Sequence, residues 1–153
     1  MIQKILHIDD KKCIINMTIK KDLKITSYNE DDISKILTII KDCVRYDRFS
    51  ISLNSNRKEN EELRNEYNLT HAKYRRILLQ LTYKDFCYGS IDIKDRKTVL
   101  YVFAPNAMLY DTDDIKIQLK LYIKIKILEK YKPKYLIVIS FHRLNRQIEY
   151  LFR

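Results

Sequence analysis

The sequence predicts an α+β domain in which helices pack on one face of an antiparallel β-sheet. In the stretch 115–127, branched aliphatic residues alternate without a fault with polar, basic or Tyr residues, which is the period of a half-buried strand. The run 135–142 is almost wholly apolar, as in a central strand that is covered on both sides. Helical spacing comes before these strand patterns along the chain, and this order indicates an α+β arrangement.

The remaining elements follow from caps, breakers and spacing within one predicted domain, 1–153. Residues 1–26 alternate weakly about a polar turn and predict an N-terminal β-hairpin extension to the core, 27–142. Gly89 predicts a turn that needs unusual dihedral angles, and residues 105–114 predict a loop. Apolar spacing over 143–153 predicts a helical tail. The other predicted elements are a helix capped by Asn29, an extended segment at 49–53, a charged helix at 57–67, a helix capped by Thr70 that ends at Leu81, and a strand at 99–104.

The strands 115–127 and 135–142 are expected to form an antiparallel hairpin, whose register decides which residues share a face. If even positions pair with even positions, one face carries only apolar residues: Leu121, Ile123, Ile125, Ile127, Ile137, Ile139 and Phe141. The other face then carries Tyr122, Lys124, Lys126, Ser140 and His142. Because this register separates polar from apolar residues better than the alternative, we expect Tyr122, Lys124 and His142 to lie together.

Composition indicates an anionic partner. The net charge is +10 and the pI is near 9.4, which favours nucleic acid, although coding bias toward Lys, Ile, Asn and Tyr explains the charge equally well. The three cysteines are widely separated and indicate reduced thiols in a cytoplasmic protein. No metal-ligand spacing, signal peptide or membrane span is present in the sequence, so we expect no metal, no cofactor and no membrane partner.

Three segments in order resemble one known family. They are Leu79-Gln80-Leu81-Thr82-Tyr83-Lys84-Asp85-Phe86, then Leu121-Tyr122-Ile123-Lys124-Ile125-Lys126-Ile127, then Leu136-Ile137-Val138-Ile139-Ser140-Phe141-His142. Over about residues 30–142, the chain is similar to the MqsR toxins of bacterial toxin-antitoxin systems. The resemblance implies a RelE-like fold, cleavage of messenger RNA and a cognate antitoxin protein as partner.

The resemblance carries over to single residues. Tyr122 and Lys124 match the family's Tyr-x-Lys strand, and His142 stands where the best-known members have a Lys. Tyr88 and Val102 stand where those members have a Lys and a Gln, so two of four functional positions lack the chemistry that the resemblance implies, whereas His142 can still act as a cation or proton-transfer group.

The chemistry of metal-free RNA cleavage assigns roles to these side chains. It needs a base for the 2′-hydroxyl proton, an acid for the leaving oxygen and positive charge at the phosphate. Imidazole suits proton transfer near neutral pH, so the predicted catalytic residues are His142, Tyr122 and Lys124. The predicted RNA-binding residues are Tyr88, Lys120, Lys126, Arg143 and Arg146.

Two other classes of function fit the same sequence. One is a non-catalytic regulator that binds RNA or DNA on the same scaffold. The other is a protein-binding accessory factor, such as a phage or plasmid inhibitor. RNA binding without cleavage would indicate the first of these, and the absence of RNA binding at low salt would indicate the second.

Overall fold

The computed structural model describes residues 24–153, which form an α+β fold with seven strands and three α-helices. The strands are β1 (Lys24–Ile25), β2 (Phe49–Ile51), β3 (Phe86–Ile91), β4 (Val99–Phe103), β5 (Asn106–Tyr110), β6 (Lys116–Leu128) and β7 (Tyr135–Arg143). The helices are α1 (Glu30–Arg45), α2 (Lys58–Tyr67) and α3 (His71–Leu79), and a 3-10 turn spans Tyr83–Asp85. The predicted hairpin at 1–26 lies outside the described residues, except for its last residues, which include β1.

The sheet is mixed rather than purely antiparallel. The strand order is β1-β3-β4-β6-β7-β2, and β5 pairs with the first half of β6. All pairs are antiparallel except that between β2 and β7, which is parallel. The sequence analysis did not predict this pair. The chain passes from β1 at one edge of the sheet through α1 to β2 at the opposite edge, and the strands between them come later in the sequence.

The helices begin where the sequence predicts. The Asn29 side chain accepts a hydrogen bond from the backbone N–H of Asp32 at 2.8 Å, and the Asp32 carboxylate accepts one from Asn29 N–H at 2.9 Å. This reciprocal pair satisfies two N–H groups at the start of α1. Thr70 likewise caps α3, by accepting a hydrogen bond from Lys73 N–H at 3.3 Å.

The two faces of the sheet are covered differently. All three helices contribute to one continuous core on the first face, where Phe141 and Ile123 are fully buried. The second face carries a smaller cluster made by Cys87, Tyr88, Val102, Ala104 and Tyr122. Leu144, Ile148 and Tyr150 of the tail pack against this smaller cluster. The predicted α+β class is therefore confirmed, with the core shared by the helices on the first face and with the tail packed on the second face.

The tail is not the predicted helix. Residues 144–153 contain no helical segment and cross the second face of the sheet. Their backbone bonds go to strands: Leu144 N–H donates to the carbonyl of Lys120 at 2.9 Å, and Leu151 N–H donates to that of Phe86 at 3.1 Å. The apolar spacing of Leu144, Ile148 and Leu151 suits a helix, but contact with the sheet fixes a non-helical path.

Two further predictions are wrong. Residues 106–110 form β5 rather than part of a loop, with Ala107 and Leu109 buried in the larger core. Gly89 lies inside β3 and has no positive φ. A Cβ at Gly89 would lie 2.8 Å from Tyr28 Oη and 3.0 Å from Val99 Cγ1, so this glycine permits close packing rather than a turn.

The predicted register holds for half of the β6–β7 hairpin. Tyr122 pairs with His142 and Lys124 with Ser140, but a bulge then shifts the pairing, so that Ile125 faces Val138. Beyond the bulge, Val138 and Leu136 are buried, and the predicted Ile137 and Ile139 are only half-buried. The predicted polar face is therefore present at residues 122–124. Beyond the bulge, Val138 and Leu136 take the buried positions that were predicted for Ile139 and Ile137.

The Asn60 amide from α2 holds the bulged part of β7. Its Nδ2 donates to the carbonyls of Ser52 and Ile139 at 2.8 and 2.9 Å, and its Oδ1 accepts from Phe141 N–H at 2.9 Å. The side chain thus bonds to β7 as a neighbouring strand would, at the point where β2 ends. Asn60 is 1% exposed, so these bonds are shielded from water.

Candidate active site

A cleft of about 340 Å³ opens on the second face of the sheet, beside the His142 end of β7. Its floor is made by Tyr122, Lys124, Ser140 and His142, as the even register predicts. The wall is formed by residues 55–60, which lead into α2, and by Arg146 from the tail. Two strands, one helix start and the tail therefore position the predicted catalytic side chains around one open space, which we call the catalytic cleft.

The rings of Tyr122 and His142 stack on each other. Their centroids are 5.2 Å apart and the planes differ by 17°. Tyr122 is 2% exposed, and its hydroxyl lies 3.3 Å from the hydroxyl of Tyr88. Because the ring is held between β4, the tail and His142, Tyr122 is a fixed platform for the imidazole.

Hydrogen bonds determine the tautomer of His142. Its Nδ1 lies 2.8 Å from the carbonyl oxygen of Arg143 and 3.2 Å from Oε2 of Glu59. A carbonyl oxygen only accepts, so Nδ1 carries the hydrogen and neutral His142 has its lone pair on Nε2. Nε2 is therefore the nitrogen that can take a proton.

Glu59 is placed to hold the His142 ring. Its carboxylate also accepts a hydrogen bond from Asn145 Nδ2 at 2.9 Å, which fixes it against the imidazole. A carboxylate at this position orients the ring. The charged helix 57–67 gave no sign of this role in the sequence, where Glu59 is one of several exposed acids.

Cations surround the stacked pair. Lys124 Nζ lies 5.8 Å from the centroid of the Tyr122 ring, and Arg146 Cζ lies 5.2 Å from it. Arg57 and Lys58 line the opposite wall. This concentration of positive charge beside a proton-accepting nitrogen suits a phosphodiester in the cleft.

The predicted RNA-binding residues separate into two groups. Lys126 donates to Asp92 at 2.7 Å, and Arg143 is on the helical side of the sheet, paired with Glu66. Neither residue lines the catalytic cleft. Lys120 and Arg146 remain on the second face, near Tyr88, whose ring is only 4% exposed and so is covered in this arrangement.

The Cys87 thiol lies on the same face but is not suited to nucleophilic chemistry. It is 2% exposed, and burial raises its pKa to about 12, an effect only partly offset by Arg153. A thiol with this pKa stays protonated near neutral pH. The Cys87 thiol therefore contributes to the packing of this face and is not a nucleophile near neutral pH.

Comparisons with protein-family models, with curated proteins and with solved structures found no match to this chain. Within residues 24–153, no group of His, Cys, Asp and Glu side chains is arranged to hold a metal ion. The same part of the chain contains no helix of the length and apolarity needed to cross a bilayer.

Proposed function

We propose that this chain is a RelE-like endoribonuclease, an MqsR-type messenger RNA interferase that cleaves single-stranded RNA by attack of the 2′-hydroxyl. The observation that carries the proposal is the stacked Tyr122–His142 pair, with Nε2 as the lone-pair nitrogen, among Lys124 and Arg146. A proton acceptor and positive charge at one phosphate are what this reaction requires.

In the proposed reaction, His142 Nε2 takes the proton of the 2′-hydroxyl, and the 2′-oxygen attacks the adjacent phosphorus. The bond between phosphorus and the 5′-oxygen breaks, and that oxygen takes a proton from water in the open cleft. The hydroxide left behind takes the proton from the His142 imidazolium, which restores the neutral ring. The products are a 2′,3′-cyclic phosphate and a 5′-hydroxyl. Lys124 stabilises the charge on the pentacoordinate phosphate, Tyr122 and Glu59 hold the imidazole, and no metal or other cofactor takes part.

The proposed biological role is that of a toxin in a bacterial toxin-antitoxin pair, which acts on messenger RNA in the cytoplasm. An antitoxin protein that covers the second face of the sheet would block the cleft. The resemblance in sequence supports this role.

The products of cleavage test the proposed reaction. Purified protein is incubated with single-stranded RNA in excess EDTA, and the ends of the fragments are identified by mass spectrometry. We expect 2′,3′-cyclic phosphate ends, and no cleavage of the same oligonucleotide with 2′-deoxyribose at the scissile position. Cleavage of the deoxy substrate, or an absolute need for metal, would contradict the reaction.

A non-catalytic RNA-binding regulator is the second candidate, and the burial of Tyr122 favours it. With 2% exposure and its hydroxyl against Tyr88, Tyr122 is not open to a substrate in this arrangement. If the protein binds RNA in the same assay and leaves every phosphodiester intact, the regulator is the better account.

A further inference from the structure

We propose that a second cleft on the same face binds backbone phosphates of single-stranded RNA next to the scissile bond. This flanking cleft has a volume of about 670 Å³ and is lined by Lys24, Tyr88, Lys120, Leu144, Arg146 and Ile148, among others. The inference rests on the proposed function, because it names the path of that substrate beyond the catalytic cleft.

Arg146 connects the two clefts. Its side chain lines the catalytic cleft, where its Cζ lies 5.2 Å from the centroid of the Tyr122 ring, and it also lines the flanking cleft. A small anion would occupy one cleft, whereas a polyanion can run from one to the other past this guanidinium. Single-stranded RNA is a chain of anions with the required continuity.

The cations of the flanking cleft contact aromatic rings and not carboxylates. Lys24 Nζ lies 4.8 Å from the Tyr88 ring centroid, and Lys120 Nζ lies 5.3 Å from that of Tyr150. Within residues 24–153, no carboxylate forms an ion pair with Lys24, Lys120 or Arg146. An aromatic face orients an ammonium group without neutralising it, so these cations remain available to an anion.

Three other cations near the sheet are paired with carboxylates. Lys126 is paired with Asp92, Arg143 with Glu66, and Arg153 with Asp85. An RNA phosphate would have to compete with those carboxylates, but at the flanking cleft it would not. Because Lys24 and Lys120 line the cleft and form no ion pair with a carboxylate, we infer that these two lysines are the phosphate contacts.

The tail builds the flanking cleft. Tyr150 Oη donates to the carbonyl of Ala104 at 2.6 Å, and Leu144 and Ile148 pack against the cluster around Tyr88. These contacts fix Arg146 between the two clefts.

Binding to a non-cleavable oligonucleotide tests the inference without requiring catalysis. The double variant Lys24→Gln/Lys120→Gln is compared with wild type for binding of fluorescent 2′-O-methyl RNA at several salt concentrations. We expect Kd to rise about tenfold at low salt, and the slope of log Kd against log salt to fall by about 1.4, or about 0.7 for each lost phosphate contact.

The matched control is Lys35→Gln/Lys41→Gln, which removes the same charge from α1 on the helical side of the sheet. We expect its Kd and salt slope to stay within about twofold of wild type, since distant exposed charges are largely screened. Equal losses in both variants would show a net-charge effect and overturn the flanking cleft. Tighter binding of poly-glutamate than of RNA would also overturn it.

The two proposals fail in different ways. If wild type cleaves RNA but the Lys24→Gln/Lys120→Gln variant binds the oligonucleotide as wild type does, the flanking cleft is wrong and the nuclease stands. If the variant loses binding as expected but wild type never cleaves RNA, the flanking cleft stands and the nuclease is wrong.

Discussion

At the scale of single residues, His142 owes its chemical character to three neighbours. The Arg143 carbonyl fixes its tautomer, the Glu59 carboxylate faces the same nitrogen, and the Tyr122 ring limits rotation of the imidazole. The side chain of His142 is 11% exposed, compared with 58% for His71. A histidine held in this way has less freedom to lose when a substrate binds.

The Asp92–Lys126 pair gives a pH-dependent prediction at the same scale. Burial raises the pKa of Asp92, but the bonds from Lys126 and from the backbone N–H of Lys94 outweigh it, so the pKa lies below its usual value of 3.8. Stability from this lowered pKa is present above about pH 4 and lost as the pH falls through the folded-state pKa.

We therefore expect Asp92→Asn to lower the free energy of unfolding by about 1 kcal/mol near pH 7, since the pair is partly buried. The difference from wild type should shrink below about pH 4. Urea denaturation at several pH values measures it, with Asp113→Asn in an exposed loop as the control. A difference that stays constant down to pH 3 would contradict this account of the pair.

At the scale of elements, the bulge in β7 determines what the cleft contains. If the pairing beyond the bulge continued through the whole hairpin, odd positions would face even ones and His142 would lie among the aliphatic residues. Asn60 supports the bulge by bonding to Ile139 and Phe141. The polar character of the cleft thus depends on an asparagine from α2.

We expect Asn60→Ala to lower the free energy of unfolding by about 3 kcal/mol, because it leaves the buried N–H of Phe141 and the partly buried carbonyls of Ser52 and Ile139 without this partner. The exposed Asn56→Ala is the matched control and should change stability by less than about 0.5 kcal/mol. Chemical denaturation measures both variants. A stability of Asn60→Ala close to wild type would mean that water replaces the amide readily.

The spacing of apolar residues and the helix N-cap residues predicted most of the helices and strands. Contacts between residues far apart in sequence explain most of the errors. The alternation over 115–127 identified β6, and Asn29 and Thr70 located two helix starts. The bulge, the parallel pairing of β2 and the path of the tail depend on residues far away in sequence. No local sequence pattern indicates that the Asn60 side chain bonds to the backbone of β7, or that Glu59 lies beside His142. The sequence analysis therefore predicted neither contact.

At the scale of the whole molecule, the cations that give the net charge of +10 differ in whether a carboxylate neutralises them. Lys126, Arg143 and Arg153 are paired with carboxylates, whereas Lys24, Lys120 and Arg146 lie over aromatic rings and form no ion pair within residues 24–153. The alternation of the sequence predicted which face Tyr122 and His142 share. It could not predict which lysines are neutralised, since that depends on tertiary contacts.

The most direct test of the central claim is the single-turnover rate of RNA cleavage by wild type and by His142→Ala, measured in EDTA. We expect His142→Ala to be slower by about 10²–10⁴-fold, which is the usual contribution of a general base. His71→Ala is the matched control and should cleave at the wild-type rate, and thermal unfolding verifies that both variants are folded. Equal rates for wild type and His142→Ala, or no cleavage by wild type, would contradict the claim that this cleft is a ribonuclease active site.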